Sequence, residues 1–133
     1  MIPKFRVWHK KRKKMLLVEQ MNFGVESSYK NEGGYVLCVN HPKGVGVFYP
    51  KEIVLMQSTS LKDKNDKEIF EGDIIKIDKK GWNELLKVYW YKGFYRAISE
   101  DGVADASVCN FNDNNCEVIG NVYENPELMK VKK

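Results

Sequence analysis

No apolar run in the chain approaches the roughly 20 residues that a membrane-spanning helix needs. The N-terminal sequence MIPKFRVWHKKRKK has neither a hydrophobic core segment nor a small-residue cleavage site. Neither secretion nor membrane association is therefore expected, and the compartment read from the sequence is the cytoplasm. Histidine is scarce: the chain has His9 and His41, and no Asp, Glu or Cys stands at metal-ligand spacing from either. Both read as turn residues, and no metal site is expected. Cysteine is limited to Cys38, Cys109 and Cys116, an odd number without C-x-x-C spacing. That pattern is neither a disulfide framework nor a zinc ribbon and leaves buried thiols. The phosphate loop G-x-x-x-x-G-K-[ST], a strand-linked G-x-G-x-x-G and an H-E-x-x-H pair are also missing. No serine or cysteine is marked as partner to a histidine base, and nothing singles out a carboxylate pair among the eighteen Asp and Glu. The sequence thus predicts no cofactor and a non-enzymatic role.

What is present is a chain of 133 residues, 43% hydrophobic and 30% charged, enough for one compact unit of two lobes but short for two independent domains. The net charge of +4 is unevenly distributed. Lys10, Lys11, Arg12, Lys13 and Lys14 are contiguous, and Lys130, Lys132 and Lys133 close the chain. With those eight set aside, 22 Lys+Arg fall to 14 against 18 Asp+Glu, so the body is net −4. A nucleic-acid-binding domain usually carries a basic face across its fold. Here any phosphate contact would have to come from one loop and a tail.

The pattern of residues is that of a mainly β protein. Lys4 to Trp8 alternates and Met15 to Met21 is apolar, which makes the basic pentad the tip of a hairpin. That tip reads either as a solvated loop or as an electrostatic grip on phosphate or an acidic protein surface. Residues 22 to 34 are rich in turn formers and read as a loop; Tyr35 to Val39 and Val45 to Tyr49 are strands around the turn His41-Pro42-Lys43-Gly44. Ile53 to Gln57 is an apolar run ending at Ser58-Thr59-Ser60. The polar turn Lys62 to Lys67, in which Asn65-Asp66 suits a left-handed conformation, leads to Ile69-Phe70. Glu71-Gly72-Asp73 turns into a strand from Ile74 to Ile77, with Ile75 and Ile77 on one face and Lys76 on the other. Val103 to Asn110 and Glu117 to Tyr123 are the last strands, joined by a turn at 111–115. A short C-terminal helix follows, with Asn125 as N-cap and Pro126 at its first position.

Between them, Lys87 to Tyr91 and Phe94 to Ser99 flank Lys92-Gly93, a two-residue connection suited to a tight hairpin. Counting from the turn pairs Tyr91 with Phe94, Trp90 with Tyr95, Tyr89 with Arg96 and Val88 with Ala97. Val88, Trp90, Tyr95 and Ala97 then share one face, and Tyr89, Tyr91, Phe94 and Arg96 the other. One face must close a core. The second is either covered, by the N-terminal lobe or another subunit, or left open for a ligand that stacks on aromatics.

Three blocks, KFRVWHKKRKKM, IVLMQSTSLKDKNDKEIFEGDIIK and EVIGNVYENPEL, resemble the YopX family of phage and prophage proteins. The resemblance implies a mainly β fold with an SH3-like barrel in its C-terminal half; with the residue pattern this divides one compact unit into an N-terminal β-hairpin lobe, 1–57, and an SH3-like barrel with a short helix, 58–133. It also implies a phage or prophage origin, and it brings no catalytic residues. The family pattern leads one to expect Asp where His9 stands, removing a carboxylate that would hydrogen-bond within the first hairpin. It leads one to expect Gly where Ser60 and Asp66 stand, making those turns less free. Two functional expectations follow. One is a non-enzymatic accessory protein that acts by interaction or self-association, as a homo-oligomer or with a host or phage protein. The other is a nucleic-acid-binding module using Lys10, Lys11, Arg12, Lys13 and Lys14 at the hairpin tip with Tyr89, Tyr91, Phe94 and Arg96 on the strand face.

Overall fold

The computed structural model of the protein describes residues 4–22, 35–39, 45–79, 82–102, 104–108 and 115–129. His41, Cys109, the loop after Asn22 and the C-terminal lysines lie outside them. Eleven strands are present among the described residues: β1 Phe5–His9, β2 Lys14–Asn22, β3 Tyr35–Val39, β4 Val45–Phe48, β5 Ile53–Lys62, β6 Glu68–Phe70, β7 Asp73–Lys79, β8 Trp82–Tyr91, β9 Phe94–Ile98, β10 Asp105–Ser107 and β11 Cys116–Asn121. They form two antiparallel sheets, of order β4-β3-β2-β1-β5-β6 and β10-β9-β8-β7-β11. The fold is therefore mainly β, as the residue pattern predicts. No pairing closes either sheet among the described strands, so a closed barrel is not what these pairings form. The chain divides into two compact units, Met1–Gln57 and Ser58–Lys133.

In the first unit β1 lies between β2 and β5, with Val7 opposite Leu16 on one side and Leu55 on the other. A bulge between Val18 and Gln20 resets the register of β2 against β3. The core holds Val7, Cys38, Phe48 and Ile53, with Leu16, Val18 and Met21 packed against it. Phe48 on β4 reaches His9 on β1, ring centroids 4.9 Å apart and edge to face, although β2 and β3 intervene in the strand order. The sheet is thus strongly curled. A 3-10 turn, Pro50–Glu52, returns the chain to β5; Pro50 presets its first turn and the Glu52 carboxylate accepts the Tyr49 N–H at 2.9 Å. Burial pushes the Cys38 thiol up to about 11, which leaves it unreactive at neutral pH.

In the second unit Ile75 and Ile77 of β7, Leu86 and Val88 of β8, Ala97 of β9 and Cys116 and Val118 of β11 make one core with Ile69 and Val108. Lys76 faces out, as the alternation predicts. Strand β5 runs past the expected end at Gln57 and through Ser58-Thr59-Ser60 to Lys62. The hydroxyls make this possible. The β5–β6 register shifts between Ser58 and Lys62, and within that bulge Ser58 Oγ accepts the Ser60 N–H while Thr59 Oγ1 accepts the Leu61 N–H and donates to the Ile69 carbonyl. Ser60 and Asp66, where glycine is expected, both hold positive φ, 67° and 65°.

The C-terminal helix is a short 3-10 turn over the described residues Pro126–Met129. Asn125 closes it through its backbone carbonyl, which accepts the Leu128 N–H at 3.1 Å. Its side chain is used elsewhere, accepting the Asn121 N–H at 3.3 Å.

Candidate functional site

Two surfaces carry the residues singled out from the sequence, one in each unit. The first is the tip of the β1–β2 hairpin. His9 pairs with Lys14, so residues 10–13 form the connection. Lys13 adopts φ 54°, and its N–H donates to the His9 carbonyl at 2.8 Å. The Arg12 N–H donates to His9 Nδ1 at 3.0 Å. This is the acceptor role that the sequence reading expected a carboxylate to fill, and the imidazole supplies it instead. The Lys10 N–H donates to the Glu52 carbonyl at 3.0 Å, and Lys10 Nζ to the Lys51 carbonyl at 3.4 Å. The Arg12 guanidinium lies 5.8 Å over the ring of Phe48, which is itself buried. Lys10, Lys11, Arg12, Lys13 and Lys14 are all exposed. None of the five pairs with a carboxylate among the described residues.

The second surface is the β8–β9 hairpin. The observed register pairs Tyr91 with Phe94, Trp90 with Tyr95, Tyr89 with Arg96 and Val88 with Ala97, as counted from the turn. Lys92 and Gly93 hold φ 50° and 92°, the two positive values of a type I′ connection. Arg96 is fixed by a two-pronged ion pair with Asp105 on β10, Nε to Oδ1 at 2.9 Å and Nη2 to Oδ2 at 2.8 Å. Its guanidinium lies 5.0 Å over Phe94 and 5.6 Å over Tyr91. Tyr89 and Tyr91 are 6.1 Å apart. Tyr91 is 47% and Phe94 41% exposed, whereas Tyr89 and Arg96 are half-buried.

The Val88 side of the hairpin is core only along part of its length. Val88 and Ala97 are buried, but Trp90 is 53% exposed and packs edge to face against Tyr95 at 4.8 Å. Alternation assigns a residue to a face and says nothing about where along the strand the core ends. Asp105 was also missed from the sequence, since its pairing with Arg96 depends on the β9–β10 register.

A family model described as YopX protein matches residues 4–130. Two solved structures are similar over nearly the whole length. Protein EF1440 from Enterococcus faecalis is 27% identical, with 98% of this chain and 99% of that chain covered and a TM-score of 0.64. Protein yopX from Bacillus subtilis is 21% identical, with 98% of each chain covered and a TM-score of 0.62. No curated protein matches the chain.

Proposed function

The chain belongs to the YopX family, and from that premise we propose that it is a phage- or prophage-encoded, non-enzymatic accessory protein of the bacterial cytoplasm that works by self-association through its aromatic hairpin. One observation supports this reading above others: Tyr91 and Phe94 stand exposed side by side on one face beside a tight turn, and Trp90 is exposed on the opposite face of the same hairpin end. Soluble monomers rarely show clustered large apolar side chains, and aromatic residues are enriched at the centres of interfaces. A second copy is the partner that suits the patch best, because aromatic rings pack well on like rings and a two-fold contact needs a self-complementary surface. Asp105 takes up the charge of Arg96, the cation at the centre of this face. The face is thereby suited to a protein surface rather than to a phosphate chain.

We read the second unit, at a finer level, as an SH3-like barrel. Leu61 and Ile69, from the two strands of the β5–β6 hairpin, pack on the core of the five-stranded sheet, the two-layer arrangement that small barrels use.

Light scattering tests the function. The wild-type protein should rise above the mass of one chain with concentration, and a Trp90→Ser, Tyr91→Ser, Phe94→Ser variant should stay at that mass with an unchanged circular dichroism spectrum. A wild-type protein that stays at one chain throughout contradicts the reading, as does a variant that assembles like wild type.

A further inference from the structure

The β1–β2 tip takes no part in that reading, and its construction points to a second surface. We infer that it is a contact for the phosphate backbone of nucleic acid, engaged without regard to base sequence. Reversing the chain here needs little more than glycine or asparagine, which enter the left-handed region cheaply. Position 13 lies in that region, at φ 54°, and holds a lysine. Every other position from 10 to 14 is also a cation, so like charges crowd a turn whose geometry does not ask for them.

The surrounding fold then holds the turn rigid. Three backbone N–H groups, of Lys10, Arg12 and Lys13, are tied to the Glu52 carbonyl, His9 Nδ1 and the His9 carbonyl. Phe48 supports both Arg12 and His9 from below. The backbone is anchored while the charged ends are exposed and without a carboxylate partner among the described residues. Glu52, the acid whose backbone touches the turn, has its carboxylate occupied by the Tyr49 N–H. An anchored backbone adds little ordering cost when the tip meets a polyanion, and the exposed cations gain by releasing that polyanion's condensed counterions.

The rest of the chain limits how much is bound. The body outside the tip and the C-terminal lysines is net acidic, and with the contact made by the tip alone at most five phosphates are neutralised. At about 0.9 per phosphate, the slope of log K against log salt for duplex DNA should be no steeper than about −4.5.

The test is fluorescence anisotropy with the full chain and labelled duplexes of two unrelated sequences, titrated at several potassium chloride concentrations. Binding at low salt that is equal for both sequences, with a slope of about −3 to −4.5, is the expected result. A Lys11→Glu, Lys13→Glu variant should lose at least about tenfold in affinity at low salt and show a shallower slope. A variant with Lys130, Lys132 and Lys133 changed to Gln should bind like wild type, and poly-glutamate should compete poorly. The inference is overturned by absent binding at low salt, by a slope far steeper than −4.5, by loss of binding in the tail variant but not the tip variant, or by poly-glutamate competing as well as DNA.

Discussion

Asp63 lies in a stretch that reads as a solvated turn, yet it is 2% exposed. Its Oδ1 accepts the N–H groups of Asn65 at 2.8 Å and Lys67 at 2.9 Å, and its Oδ2 accepts the Val118 N–H at 2.8 Å. Burial pushes this carboxyl up, but the three amides and the Lys67 ammonium together outweigh it and hold the group below the usual carboxylate range. A lowered folded value means that the stabilisation is complete above the unfolded value of about 4 and is lost as pH falls through the folded one. Asp63→Asn should therefore cost about 2 kcal/mol at neutral pH, because an amide group replaces one of the acceptors. The cost should shrink in acid, read as urea midpoints of variant and wild type at both pH values. The turn itself was legible in the sequence, through Asn65-Asp66. The carboxylate's hold on β11 was not, since its partner is 55 residues away.

At the scale of the element, what could be counted was read well and what depended on distant packing was not. Two apolar runs around Lys92-Gly93 fix a register by geometry alone, and all four inferred pairs of that hairpin are present. The extension of β5 across three hydroxyl residues escaped, because their polarity reads as a turn unless the bulge that uses them is known. Strand β4 carries a comparable hidden constraint. A Cβ on Gly46 would stand 2.8 and 2.9 Å from two atoms of the Phe48 ring, which folds back over it. That ring is buried and supports the basic tip, so it has little room to yield. Gly46→Ala should destabilise the protein by about 1–3 kcal/mol, seen as a lower denaturation midpoint, whereas a variant as stable as wild type would show that the ring moves freely.

For the whole molecule, composition defined the class and left the role to surfaces that only the fold displays. The mainly β architecture was legible from alternation and turn residues, and the family from three sequence blocks. Whether the Tyr91 and Phe94 face is open was undecidable from alternation, because covered and uncovered aromatic strands share the same pattern. Among the described residues no helix is long and apolar enough to cross a membrane, and no three His, Cys, Asp or Glu are placed to hold a metal ion. The central claim is that the aromatic hairpin is where copies of the chain meet. Hydroxyl-radical footprinting of the full protein at low and high concentration tests it directly. The account predicts that oxidation of Trp90, Tyr91 and Phe94 falls as concentration rises while that of exposed Leu17 and Val47 does not change. Equal labelling of the three aromatics at both concentrations, or protection confined to Leu17 and Val47, would contradict it.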